Sequence, residues 1–246
     1  MTNTLKLPQC EIIYPAQIGR EFLLVAGGRR PDEKFFTVLS RGRKIFAVDK
    51  GIEICRDVNI LPEILIGDFD SAESSAVNWA LENKIPIERH PVDKDLTDTQ
   101  LALNLLKTNS SLFPLPSSLI ITGIFGGRFD HLFSNVFTCA AAKVATCLVD
   151  EREVIFFVRG GESFTVKFFV RPMALSLLPI TEICEGVTLK NVHWELNGAT
   201  LRQNFPNAVS NRVEADTIKI SATKGTLAVY AGFRDYPTDK KVYVMF

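Results

Sequence analysis

The chain has 246 residues, 46% of them hydrophobic, which is enough for one large domain or two modest ones. Its 28 Lys plus Arg balance 28 Asp plus Glu, so no basic surplus marks it as a nucleic-acid binder, while a small anionic ligand stays open. The five cysteines (Cys10, Cys55, Cys139, Cys147 and Cys184) are odd in number and include no CxxC pair, which argues against a disulfide framework or a zinc site and for a reducing compartment.

The opening MTNTLKLPQCEII has no apolar run of signal-peptide length, and no later stretch has the length to cross a bilayer. The expectation is a cytoplasmic protein with neither a membrane nor a nucleic acid as partner. Residues 1–20 read only as an edge strand or a loose arm. From there to Asp150, short apolar runs predict strands at Phe22–Ala26, Lys44–Val48, Ile64–Gly67, Ile85–His90, Ser118–Thr122 and Cys147–Val149. Helical segments alternate with them: Asp32–Ser40, Gly51–Asp57, Ser74–Asn83, Asp98–Thr108 and Asp130–Ala145. This alternation predicts a doubly wound, mostly parallel sheet with helices on both faces.

Past Glu151 the helical period disappears. Val154–Val158, Ser163–Phe169, Ala174–Leu178, Thr217–Ala222 and Thr226–Tyr230 are rich in β-formers. Turn residues at Arg159-Gly160-Gly161, Asn197-Gly198 and Lys224-Gly225 separate them. The pattern predicts an antiparallel β-sandwich or barrel. The expected organisation is an α/β domain over 1–150 followed by a β-sandwich domain over 151–246.

Four polar clusters follow predicted strands: Asp49-Lys50-Gly51, Asp68-Phe69-Asp70-Ser71, Asp93-Lys94-Asp95-Leu96-Thr97-Asp98, and Gly126-Gly127-Arg128-Phe129-Asp130-His131. In an open parallel sheet the loops after the strands share one edge, and ligands bind there where strand order reverses. The clusters are therefore expected to converge. Asp68, Asp70, Asp93, Asp95, Asp98 and Asp130 together form a gathering of like charges that raises each carboxyl pKa unless a cation intervenes. A hard divalent ion, Mg²⁺, suits carboxylates combined with substrate phosphates. Asp68 and Asp70, with Asp95 or Asp98, are its expected ligands. A carboxylate not bound to metal, Asp130 or Asp98, is the expected proton acceptor.

The glycines Gly27 and Gly127 stand in loops that would let backbone N–H groups approach a phosphate. Arg128 would fork phosphate oxygens, and Lys94 would offset their charge. Thr97 and Gln100 fit a capping box, giving Thr97 a structural role beside any contact with nucleotide. His131 either packs under its loop or meets the ligand, and Asp49 joins the expected nucleotide contacts. Trp194 reads as a core residue, with stacking on a ligand as the alternative. No G-x-x-x-x-G-K-[ST] loop and no G-x-G-x-x-G after the first strand occur, so phosphate is bound in some other way.

The blocks Gly67-Asp68-Phe69-Asp70-Ser71, Asp93 to Asp98 and Gly126 to His131, in this order and spacing, resemble the signature blocks of the thiamine pyrophosphokinase family. The resemblance covers roughly residues 22–135. It implies an ATP:thiamine diphosphotransferase with Mg²⁺ as cofactor and ATP as co-substrate, acting as a homodimer with its active site at the interface. The pair Ser210-Asn211 is similar to the family's thiamine-contacting Ser-Asn. Two other readings share the scaffold. One is a thiamine- or nucleotide-binding sensor. The other is an Mg-dependent phosphohydrolase using Asp68-x-Asp70, although such enzymes place that pair on the first strand and here it follows the third.

Overall fold

The computed structural model of the chain describes residues 3–91, 95–114, 117–142 and 145–233. Two compact units form, one from Arg20–Asp150 and one from Met1–Gly19 with Glu151–Phe246. In chain order the elements begin with β1 (Thr4–Lys6) and β2 (Cys10–Ile13). The α/β unit then supplies β3 (Arg20–Val25), α1 (Glu33–Ser40), β4 (Lys44–Val48), α2 (Ile52–Asp57), β5 (Ile64–Gly67), α3 (Ser74–Glu82), β6 (Ile87–Arg89), α4 (Asp98–Thr108), β7 (Ser117–Thr122), α5 (Phe129–Ala141) and β8 (Ala145–Val149). After them come β9 (Glu153–Arg159), β10 (Ser163–Phe168), β11 (Ala174–Pro179), β12 (Ile183–Lys190), β13 (Leu196–Arg202), β14 (Thr217–Ser221) and β15 (Thr226–Gly232).

In the α/β unit the strands run in the order β8-β7-β3-β4-β5-β6, and every neighbouring pair is parallel. The chain winds outward from β3 to β6 in one direction, then returns to place β7 on the other side of β3. The order therefore reverses between β3 and β7. Burial explains why these strands were readable: all four residues of β5 and the last four or five of β3, β4 and β7 are buried, as helices on both faces require. Phe22 on β3 stacks on Phe46 of β4 at 5.5 Å and meets Phe113 at 4.9 Å, forming an aromatic centre beneath the helices. By contrast, β6 is an edge strand of three largely exposed residues, shorter than the run Ile85–His90 suggests. α5 begins at Phe129, one residue before the expected start, and ends at Ala141.

The other unit is antiparallel in every strand pairing among its described residues, with a six-stranded sheet ordered β1-β2-β10-β14-β12-β13 and a three-stranded run β11-β15-β9. Rings from the two layers meet, Phe156 of β9 lying 6.3 Å from Phe164 of β10. Three features depart from the sequence reading. Residues 1–19 belong to this unit rather than to a domain over 1–150, because β2 pairs with β10 and its alternating pattern buries Cys10 and Ile12. The Asn197-Gly198 pair lies inside β13 instead of separating strands, with Gly198 at φ 66°. Strands β12 and β13 have no clean alternation in sequence because their pairing shifts register twice, and β13 is mostly exposed. All five cysteines are free and buried. Among the described residues no helix is long and apolar enough to cross a membrane.

Ile12 is fully buried and lies opposite Val166. Ile12→Ala is expected to cost about 2–5 kcal/mol, read as a lower urea midpoint in tryptophan fluorescence. An unchanged midpoint would show that the N-terminal strands add nothing to this unit.

Candidate active site

The loops after β3, β4, β5 and β7 and the start of α4 and α5 enclose a cleft of about 570 Å³. It opens at the C-terminal ends of the strands, against the β3–β7 reversal. Ala26, Gly27 and Gly28 line it from one side of the reversal, and Gly123, Gly126 and Gly127 from the other. The two loops are sewn together: the Gly28 amide donates to the Gly123 carbonyl at 2.6 Å and the Arg29 amide to the Phe125 carbonyl at 2.6 Å. A Cβ on Gly123 would come 2.3 Å from the Ala26 carbonyl oxygen, at a φ of 64° that side chains rarely adopt. The glycines thus serve first to let the loops touch. The amides of Gly28 and Arg29 are spent on that contact, while Gly27, Gly126 and Gly127 also line the cleft.

Asp49, Asp68 and Asp70 come together, each offering an oxygen within 4.8 Å of the others. Their backbone is bent to achieve it. Asp49 has φ 48° and Phe69, between the other two, φ 67°. Left-handed conformations in non-glycine residues cost about 1–3 kcal/mol each and mark functional sites. Phe69 is held by the Arg89 guanidinium 4.8 Å from its ring centre. Asp68 closes its own turn by accepting from the Asp70 amide at 3.1 Å. The Ser71 hydroxyl donates to Asp49 Oδ2. Asp49 Oδ1, in contrast, is buried and finds no hydrogen-bond partner among the described residues. Burial raises the Asp49 pKa from its ordinary 3.8; the Ser71 hydroxyl and the nearby Lys50 amide oppose the rise, and the charges of Asp98 and Asp68 add to it. Oxygen donors only, three within reach, and one buried oxygen unpartnered: this donor set fits a hard divalent cation.

Most of the expected residues reach the cleft. Gly27, Asp49, Asp68, Asp70, Thr97, Asp98, Gly127, Arg128 and His131 all line it. Thr97 caps α4 as its sequence suggests, accepting from the Gln100 amide while the Gln100 side chain accepts from the Thr97 amide. That cap fixes Asp98, the first residue of the helix. Asp95 does not line the cleft and is exposed, one turn outside the helix start. Asp130 also lies outside the lining. Its carboxylate is bridged by Arg128, Nε at 3.1 Å and Nη2 at 2.5 Å. The Arg128 hydrogen bond, with the His131 amide, holds Asp130 below the usual carboxylate range while that pair is intact. Lys94 and Asp93 lie outside the described residues. Among the polar residues that line the cleft, Ser71, Thr99 and Asn135 have no role assigned from sequence. Ser71 closes the Asp-x-Asp-Ser block, and Asn135 stands one helical turn after His131, so motif and spacing both held the signal.

In the β unit, Ser210 is exposed at φ 58°, its amide donating to the Ser176 hydroxyl at 3.0 Å. The Asn211 carboxamide is occupied internally: it donates to the Trp194 carbonyl at 2.8 Å and accepts from the amides of Trp194 and Arg212. Trp194 is not a core residue. It is 57% exposed, edge-on to His193, with the Arg212 guanidinium 5.6 Å from its ring centre. It borders a pocket of about 240 Å³ with Leu175, Leu177, Leu201 and Val209.

A switch-point cleft that combines clustered carboxylates with glycine loops is the site of an α/β phosphotransferase. Comparison with known proteins makes the class specific. A family model described as "Thiamin pyrophosphokinase, catalytic domain" matches residues 35–149, and one described as "Thiamin pyrophosphokinase, vitamin B1 binding domain" matches residues 171–227. A thiamine pyrophosphokinase of Bacillus subtilis is 27% identical over 211 residues, spanning 83% of this chain and 94% of its own. The crystal structure of thiamine pyrophosphokinase from B. subtilis superposes with a TM-score of 0.73 at 23% identity, over 87% of this chain and all of that one. Yeast thiamin pyrophosphokinase gives 0.69 at 17% identity, over 92% and 90%. Together the two family models span most of the chain, one on each side of the change from α/β to all-β: the chain belongs to the thiamin pyrophosphokinase family and is an enzyme of that family.

Cation binding should be visible without turnover. Mg²⁺ is expected to raise the thermal midpoint of the unmodified chain, and Asp70→Asn to remove most of that rise. The raised Asp49 pKa sets the pH sign. Its contribution to metal-free stability is present at low pH and lost as pH climbs from about 3.8 through the folded value, while the gain from Mg²⁺ grows over the same window. A midpoint indifferent to Mg²⁺ at neutral pH would remove the cation from this cluster.

Proposed function

We propose that the cleft transfers the diphosphate of ATP to the hydroxyl of thiamine, giving thiamine diphosphate and AMP. The observation that carries the reading is the meeting of Asp49, Asp68 and Asp70 at the switch point, with one buried oxygen of Asp49 unpartnered. The residues have separable tasks. Asp49, Asp68 and Asp70 hold Mg²⁺, the cofactor, which when bound neutralises phosphate charge and polarises the transferred group. Gly27 and Gly127 bring backbone close to the phosphates. Arg128, 73% exposed at its side chain, can leave Asp130 for a phosphate oxygen, a better partner than an exposed carboxylate. Asp98, fixed by the Thr97 cap and lining the cleft, accepts the proton of the attacking hydroxyl.

Diphosphoryl transfer depends on position and charge balance more than on covalent chemistry. The reaction needs a site that accepts a polyanion together with its cation, and a cleft with acids on one wall and glycine loops on the other suits both. The β unit, matched by the vitamin B1 model over 171–227, is the proposed source of thiamine contacts. Ser210 is the exposed member of the expected pair, and Asn211 holds the Trp194 segment beside it. A homodimer with the site at the subunit interface belongs to the same reading, and sedimentation at micromolar concentration tests it.

Incubation with thiamine and Mg-ATP, followed by mass detection, is expected to yield thiamine diphosphate and AMP in equal amounts. Production of ADP or free phosphate instead would replace this reading with a hydrolase or a monophosphate kinase. Asp68→Asn is expected to lower kcat by about 100-fold or more with the circular dichroism spectrum unchanged; turnover near that of the unmodified chain would take Asp68 out of the reaction.

A further inference from the structure

We propose that Asp150 is a positioning residue for the nucleotide phosphates, acting through Arg29 on the two glycine loops of the cleft. The proposal rests on the reading that those loops receive ATP. Asp150 directly follows β8 and its side chain is fully buried. A carboxylate taken entirely out of water needs a charged, well-placed partner. Arg29 supplies it: Nε and Nη2 approach the same oxygen, Oδ2, at 2.8 and 2.6 Å.

What makes the pair more than a buried salt bridge is where Arg29 stands. It follows Gly27-Gly28 in the loop after β3, and its amide makes the 2.6 Å bond to Phe125 in the loop after β7. Its guanidinium lies 6.0 Å from the centre of the Phe125 ring. A Cβ added to Gly126 would sit 2.9 Å from Arg29 Cβ, so the side chain packs directly on the glycine that lines the cleft. The order β8-β7-β3 places three adjacent strand ends in a row. One arginine ties all three: its backbone belongs to the β3 loop, its amide holds the β7 loop, and its charged end is anchored after β8.

Neither Arg29 nor Asp150 lines the cleft. The pair therefore acts on the shape of the phosphate cradle, not on the reacting atoms. Loss of the Asp150 charge removes the buried anchor of the guanidinium, and the seam between the loops loses that outer support. Phosphate binding weakens, while the Asp49–Asp68–Asp70 cluster, carried by β4 and β5 on the far side of β3, keeps its geometry. A merely structural ion pair predicts instead a loss of stability with no selectivity between the two substrates.

The test measures binding of Mg²⁺ with α,β-methylene-ATP by calorimetry, alongside KM for each substrate. Asp150→Asn is expected to weaken analogue binding about tenfold or more and raise KM for ATP in parallel, with KM for thiamine and kcat within about threefold of the unmodified chain. Arg29→Lys, which keeps the charge but not the two-nitrogen approach, should fall between. The double variant Arg29→Met with Asp150→Asn removes both charges and should be no worse than Asp150→Asn alone. If Asp150→Asn fails to fold, Arg29→Lys and the double variant carry the same comparison. Unchanged analogue binding in folded variants, additive losses in the double variant, or equal shifts in both KM values would each overturn the proposal. An unmodified chain that binds the analogue yet forms no thiamine diphosphate would overturn the functional reading alone.

Discussion

Mutual repulsion among Asp49, Asp68 and Asp70 is the constraint around which the α/β unit is arranged. Three carboxylates within 4.8 Å are unfavourable alone, and the chain keeps them there with two left-handed residues, an Asx-type turn at Asp68 and a hydroxyl from Ser71. None of those devices would be retained to make a more stable sheet. They make sense as a site kept ready for positive charge, with stability drawn from the doubly buried strands behind it. The position of the cluster follows from topology. The cleft lies at the C-terminal strand ends beside the β3–β7 reversal, and the acids that follow β4 and β5 border it.

The same constraint separates residues that look alike in sequence. Asp95 and Asp98 stand three apart in one acidic run, yet the Thr97 cap directs only Asp98 to the cleft. Asp130 and Arg128 stand two apart and neutralise one another at the surface. A motif names the residue types that gather near a site, but the first turn of a helix decides which side chain faces inward. Sequence reasoning placed the strands, the sheet edge and the order of the acidic blocks because doubly buried parallel strands are continuous apolar runs and because loops after them share one edge. It could not rank the carboxylates, since ranking depends on burial and φ, which spacing does not encode.

The β unit was less legible for related reasons. Strand β13 is largely exposed and β12 changes register against it, so neither shows a period of two. Asn211 illustrates a different limit. Its place in a Ser-Asn pair resembles a ligand contact, but its carboxamide is committed to the backbone at Trp194 and Arg212. A residue can matter to a binding surface by holding the segment that forms it, and sequence resemblance does not distinguish the two roles. Trp194 went the opposite way: an aromatic in a β-rich context suggests core, yet it is more than half exposed because the Asn211 clamp holds its backbone at the surface.

The pairing of β2 with β10 has a consequence for biosynthesis. Residues 10–13 are made before their strand partner, which follows only after about 150 further residues. Throughout that interval Arg20–Asp150 is contiguous and can collapse as it emerges, whereas the leading segment waits with bare strand edges and buried-type side chains such as Leu5, Leu7 and Ile12 exposed. Until β10 is made, the nascent chain is thus open to intermolecular strand pairing at this early segment rather than at the stretch just synthesised.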